Sequence, residues 1–97
     1  MNEVWQDKIP PQDIEAEQAV LGAIFLDSDT LIDAMEIVTP RSFYRRSHQI
    51  IFQSMIQLSN RGEAIDLVTL KAEIEKSNAL EDIGGISYLS ELSQSTP

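Results

Sequence analysis

Five groups of residues could carry chemistry in this chain, and each implies a different kind of protein. Phosphate binding in a P-loop needs Gly-x-x-x-x-Gly-Lys-[Ser/Thr], so that backbone N–H groups wrap the phosphates and a lysine reaches them. No glycine here is followed by lysine, and no Gly-x-Gly-x-x-Gly occurs; Gly84-Gly85 runs into Ile86 and reads as a loop. Nucleophilic hydrolysis would have to use Ser47 and His48, but adjacency in sequence does not bring two side chains together. His48, near the start of an amphipathic helix, reads as a packed or half-exposed residue. Glu15 and Glu17 stand two apart and face different sides of a helix, so they form no preset acid–base pair. The many other acids read as a solvated face. Zinc is excluded as a resident metal by the absence of cysteine and the presence of a single histidine. No catalytic, cofactor-binding or metal-binding residue is expected.

Two groups point to binding. Arg41, Arg45 and Arg46 surround Phe43 and Tyr44 and form the single cluster of positive charge. Arginines with an aromatic between them can hold single-stranded nucleic acid, the aromatic stacking on a base. That reading makes the chain a nucleic-acid-binding helical module using Arg41, Arg45, Arg46 and Tyr44. The same arginines can instead bind acids on a protein surface, with Phe43 and Tyr44 both partly in the core. Tyr88 follows Ile86 and precedes Leu89. If Leu89 and Leu92 face the core, Tyr88 is turned roughly 100° from Leu89 on the helix and is a partly exposed aromatic, a type enriched at binding hot spots.

The charge favours protein partners. There are 16 acids against 7 bases, a net −9. Nucleic-acid affinity is dominated by lysines and arginines that neutralise phosphates, and an acidic surface repels them. The longest apolar run, Ala23-Ile24-Phe25-Leu26, is far short of a membrane span. The first residues lack the basic and apolar regions of a signal peptide. A cytoplasmic protein is expected.

The elements that must position these residues are helical. At 97 residues the chain suits one domain. Residues 1–12 show no period and contain Pro10-Pro11, so an extended arm is expected, either a mobile tail or an arm docked through Trp5, Ile9 and Val4. A helix begins near Asp13, with Asp13, Glu15 and Glu17 suiting the positive end of its dipole. Its apolar stripe uses Ile14, Leu21, Ile24 and Phe25, and Gly22 within it suggests close packing against another helix. Asp27-Ser28-Asp29 ends it and supplies the next N-cap. A second helix is expected from Thr30 to Val38, burying Leu31, Ile32, Met35 and Val38, then a short turn from Pro40 to Phe43. A third runs from Ser47, as N-cap, to Arg61, through Ile51, Met55 and Leu58, with Gly62 as its left-handed terminator. Asp66 caps a fourth, Leu67 to Ser77, whose apolar face includes Leu70, Ile74 and Val68. After the Gly84-Gly85 break a last short helix covers Ser87 to Ser93. No two segments alternate as strands joined by hairpin turns. The fold class expected is all-α, a compact orthogonal bundle of five to six short helices over residues 13–95.

Four blocks then resemble one family. Ile9-Pro10-Pro11-Gln12-Asp13-Ile14-Glu15-Ala16-Glu17-Gln18-Ala19-Val20-Leu21-Gly22 is similar to the opening of bacterial replicative DNA helicases of the DnaB type. Phe43-Tyr44-Arg45, His48-Gln49 and Ile51-Phe52 resemble the next block. Ile65-Asp66-Leu67-Val68-Thr69-Leu70 and Gly84-Gly85-Ile86-Ser87-Tyr88-Leu89 resemble the third and fourth. The blocks stand in order at family-like spacing, and the low-GC Gram-positive members are the nearest in character. The resemblance implies an N-terminal collar domain without catalytic residues. Such a domain supports a hexameric ring and receives the C-terminal domain of primase. Full-length members unwind DNA using ATP and Mg in a RecA-like domain that follows a linker helix. Neither the linker nor that domain occurs in this sequence, and the helical hairpin expected after the globular part is missing as well. Within that reading, Glu15 and Tyr88 are the expected partner-contact residues.

Overall fold

The computed structural model describes residues 13–95; the expected arm, 1–12, lies outside the described residues. Five α-helices and one 3-10 turn follow in order: α1 Ile14–Leu26, α2 Thr30–Met35, the turn Pro40–Ser42, α3 Arg46–Asn60, α4 Leu67–Glu75 and α5 Gly85–Ser93. Among the described residues there is no strand. The all-α class and the helix number expected from periodicity are both found.

Local chemistry sets most of the boundaries. Asp13 caps α1 by accepting from the Ala16 N–H at 3.0 Å. Asp66 caps α4 reciprocally: its carboxylate accepts from the Thr69 N–H, and the Thr69 hydroxyl oxygen accepts from the Asp66 N–H, both at 2.9 Å. This box settles Ala64–Val68 as a loop entering a helix. Gly62, at φ 72°, ends α3 in the left-handed conformation that a side chain disfavours. The Glu63 N–H then reaches back to the Leu58 carbonyl at 2.9 Å.

The core collects Leu21 and Ile24 of α1, Leu31 of α2, Phe43, and Ile51, Phe52, Met55 and Leu58 of α3. Leu70 and Ile74 of α4 and Leu89 and Leu92 of α5 join them, with Val38, Ala79 and Ile83 from the connections. Helix α3 lies against the 3-10 turn and α4, and α1 packs on α5. Gly22 sits where α1 meets the end of α5: a Cβ there would lie 2.0 Å from the Ser95 carbonyl oxygen and 3.1 Å from that of Leu92. The close packing expected of this glycine is therefore real. Gly22→Ala should lower the melting temperature of the chain. Overpacking against backbone costs about 1–3 kcal/mol, which exceeds the roughly 1 kcal/mol gained in helix propensity. A thermal melt showing a gain would refute the close contact.

Several expectations need correction. Helix α2 stops at Met35, and only Leu31 of its length is buried; Ile32 and Met35 face solvent. Val38, beyond the end of the helix, is buried as expected, but Ile32 and Met35 lie off the single inward face that Leu31 gives so short a helix. Asp29 makes no capping bond; instead the Asp27 carboxylate accepts its N–H at 3.0 Å. Val68 is 77% exposed, being two residues before Leu70 and so on the opposite side of α4. Helix α4 ends at Glu75. Helix α5 begins two residues early, at Gly85, because Gly84 at φ 105° serves as its N-cap.

Candidate functional site

The polar residues that matter most are inside. Glu17 and His48 are both 0% exposed; for His48 this is the packed alternative of its sequence reading, whereas the acids, Glu17 among them, read as a solvated face. An isolated buried charge costs several kcal/mol, so a buried carboxylate must be surrounded by donors. Glu17 is. One oxygen, Oε2, accepts the Tyr44 N–H at 2.6 Å. The other, Oε1, accepts the Arg45 N–H at 3.4 Å and lies 2.6 Å from His48 Nδ1.

Proton counting orients the rest. A carboxylate can only accept, so Nδ1 of His48 carries the hydrogen. In the neutral ring Nε2 is then an acceptor, and the Tyr88 hydroxyl, 2.6 Å away, donates to it. The Tyr88 oxygen in turn accepts from Gln18 Nε2 at 3.1 Å and Arg45 Nη1 at 3.3 Å. The His48 Nδ1 hydrogen and the Tyr88 hydroxyl hydrogen then each have an acceptor. A doubly protonated ring would send a third donor to the Tyr88 oxygen and leave the phenol hydrogen with no acceptor among the described residues. Burial accordingly pushes the His48 pKa below its ordinary value. The hydrogen bond and charge of Glu17 oppose that shift, and Arg45 adds to it.

Carboxylate, imidazole and hydroxyl thus stand in the order used by hydrolytic triads. The chemistry available differs. The Tyr88 oxygen already receives two N–H bonds, so the electron pairs that would attack a substrate are engaged. What the chain of bonds does is tie α1, the start of α3 and α5 together. The Phe43 and His48 rings form a T-shaped pair at 6.4 Å between centroids, and Tyr88 stacks on His48 at 5.8 Å.

This tie also explains the start of α3. Ser47 was expected to cap it, yet the helix begins at Arg46 with Arg45 as N-cap and no side-chain capping bond. The Glu17 carboxylate, arriving from α1, holds the N–H groups of Tyr44 and Arg45 and so fixes the chain's entry into the helix. Tyr44 was expected to be partly core; it is 59% exposed, while Phe43 is buried at 1%.

A second cluster lies between the end of α3 and α4. Glu73, 8% exposed, receives Arg61 Nη2 at 2.6 Å, Arg61 Nη1 at 3.3 Å and Lys76 Nζ at 3.2 Å. The Arg61 hydrogen bonds hold the Glu73 carboxyl below the usual carboxylate range against the opposing effect of burial. The Arg61 guanidinium spans Glu63 and Glu73.

The residues expected at partner contacts fall on one side. Glu15 is exposed and Tyr88 half-buried. Glu15 precedes Gln18 by three residues on α1, which makes them neighbours on that helix face, and Gln18 donates to Tyr88. Arg41, Tyr44, Arg45 and Arg46 are all exposed around the start of α3. Among the described residues no group of three or more His, Cys, Asp or Glu is placed to hold a metal ion. No helix there is long and apolar enough to cross a membrane.

The class these features define is a small all-helical domain braced by a buried polar tie, with its chemical variety on the surface. Residues 9–97 match the family described as DnaB-like helicase N terminal domain, and the chain belongs to that family. It is 56% identical over all 97 residues to the replicative DNA helicase DnaB of Geobacillus stearothermophilus. It is 50% identical, again over its whole length, to the replicative DNA helicase DnaC of Bacillus subtilis (strain 168). The crystal structure of the N-terminal domain of DnaB helicase from Mycobacterium tuberculosis superposes with a TM-score of 0.85 at 42% identity, covering 91% of this chain and 61% of that one. The likeness to low-GC Gram-positive helicases read from four sequence blocks is thereby established. The chain spans 21% of the length of the two replicative helicases.

Proposed function

We propose that this chain is the non-catalytic docking and collar domain of a replicative helicase. In this reading it supports assembly of the hexameric ring and receives the C-terminal domain of primase at the replication fork. The full-length protein would unwind duplex DNA with ATP and Mg, using a RecA-like domain beyond a linker helix. Family membership supports the general role. The observation that carries the docking role is Tyr88, a half-buried aromatic whose hydroxyl is held by His48, Gln18 and Arg45. A side chain fixed before its partner arrives loses less entropy on binding. Glu15, exposed on the adjoining face of α1, offers a carboxylate to a basic partner.

Calorimetric titration of the chain with the primase C-terminal domain tests this reading. Tyr88→Ala and Glu15→Ala should each weaken binding, by about ten-fold for the tyrosine, as expected of an interface aromatic. Both variants must keep their helical circular dichroism. Full affinity in both would remove this face from the docking surface.

A further inference from the structure

The six described lysines and arginines divide sharply. Arg61 bridges Glu63 and Glu73, Lys71 pairs with Glu75, and Lys76 pairs with Glu73. Arg41, Arg45 and Arg46 have no carboxylate within ion-pair distance among the described residues, and all three lie in one stretch of six residues. Between them stands Tyr44, an exposed tyrosine in a chain with net charge −9. Cations without an acidic partner among the described residues, grouped around an exposed tyrosine on a surface otherwise rich in acids, combine two side-chain types enriched at interface centres.

From this we infer that the corner formed by Arg41, Tyr44 and Arg46 is a second docking surface, for a short acidic segment of a protein partner. The corner is rigid. Its backbone is held from beneath by buried Glu17 at Tyr44 and Arg45, Phe43 anchors it in the core, and Arg46 is the first residue of a 15-residue helix. Arg46 also borders a shallow groove of mixed polarity along α3; Gln53 and Gln57 offer side-chain amides there to a segment running on from the corner, and its one carboxylate, Glu73, is already paired with Arg61 and Lys76. Charge selects the partner. DNA carries one negative charge per roughly 1.7 Å of duplex, and its length would extend across the acidic remainder of the domain. A segment with two or three carboxylates engages the corner and brings little further charge to that surface. Arg45 belongs partly to the buried tie through Tyr88, so the contacts fall to Arg41, Tyr44 and Arg46.

The test is selection from a library of random 12-residue peptides displayed on phage, panned on the chain, with an Arg41→Glu/Tyr44→Ala/Arg46→Glu variant in parallel. Circular dichroism of the variant should match the parent, since all three side chains are exposed and outside the core. Peptides enriched on the parent should carry more Asp and Glu than the input library. As synthetic peptides they should lose at least ten-fold affinity on the variant and weaken with added salt, as screened surface charges must. Enrichment without an acidic bias, equal binding to the variant, or no corner-dependent peptide would overturn the inference. So would tighter, corner-dependent binding of a 15-residue oligothymidylate, which would assign the corner to single-stranded nucleic acid. None of these outcomes depends on Glu15 or Tyr88, so the primase reading stands or falls separately.

Discussion

Glu17→Ala should destabilise the chain by about 3–5 kcal/mol, whereas Glu15→Ala, two residues earlier, should change stability by less than about 0.5 kcal/mol. The contrast follows from what each carboxylate touches. Glu15 is exposed and no hydrogen bond from its side chain is found among the described residues. Glu17 is fully buried and accepts from the Tyr44 N–H, the Arg45 N–H and His48 Nδ1. Truncation to alanine leaves all three donors without an acceptor in a site where no buried side-chain polar atom now lacks one. Each such group costs about 1–3 kcal/mol, and the costs do not simply add. Domains of this size have about 5–10 kcal/mol of stability in all, so the variant should be close to unfolding at room temperature. Urea denaturation measures this directly. Glu17→Gln should recover only part of the loss: its amide keeps one acceptor oxygen but turns an NH2 group toward donors. A Glu17→Ala midpoint within experimental error of the parent would show that the buried carboxylate is not what holds the three helices.

The helices were largely legible because apolar spacing and capping residues are local signals. Asp13, Asp66 and Gly62 each act on atoms within a few residues of themselves. The polar tie was harder, because its members come from three separated segments. A signal was nevertheless present. Glu17 falls on the same helical phase as Ile14, Leu21 and Ile24, and His48 on the phase of Ile51, Met55 and Leu58. An ionisable residue in a core phase must find a partner in the core, and two such residues of suitable chemistry imply each other. Reading the acids collectively as a solvated face hid this. The start of α3 misled for the same reason: Ser47 has the composition of a cap, but the carboxylate satisfying the entering backbone comes from α1. Periodicity also could not say which of Phe43 and Tyr44 turns inward. The answer depends on Glu17 holding the Tyr44 N–H, which directs that backbone and leaves the Tyr44 ring outside. Ion pairing was only partly local: Lys76 meets Glu73 three residues away and Arg61 meets Glu63 two residues away, but Arg61 reaches Glu73 only because the fold packs α4 on the end of α3.

Stability should also fall as pH drops from 7 toward 5, and the fall should vanish in a His48→Asn variant. His48 is the single histidine of the chain, and burial holds its folded-state pKa below the ordinary 6.5. The unfolded chain therefore takes up a proton near pH 6.5 that the folded chain refuses until lower pH. Linkage then sets the sign: the stabilisation is complete above the unfolded pKa and is lost progressively as pH falls to the folded value. The slope is limited to about 1.4 kcal/mol per pH unit, the worth of one proton. The groups facing the ring are Glu17 from α1, Arg45 at the entrance to α3 and Tyr88 from α5; Phe43 adds an uncharged ring in T-shaped contact. Glu17 favours the charged imidazolium and Arg45 opposes it, with desolvation deciding the outcome. Glu73 has the same sign in a separate window: its pKa is lowered from 4.5 by Arg61, so its contribution is intact above pH 4.5 and is lost only below it. Chemical denaturation at half-unit intervals from pH 7.5 to 5 isolates the histidine, and the shift of its ring nitrogens on titration identifies the tautomer directly. Flat stability across that range, or a rise on acidification, would contradict a neutral His48. It would instead indicate an imidazolium paired with Glu17, with the Tyr88 hydroxyl turned to solvent.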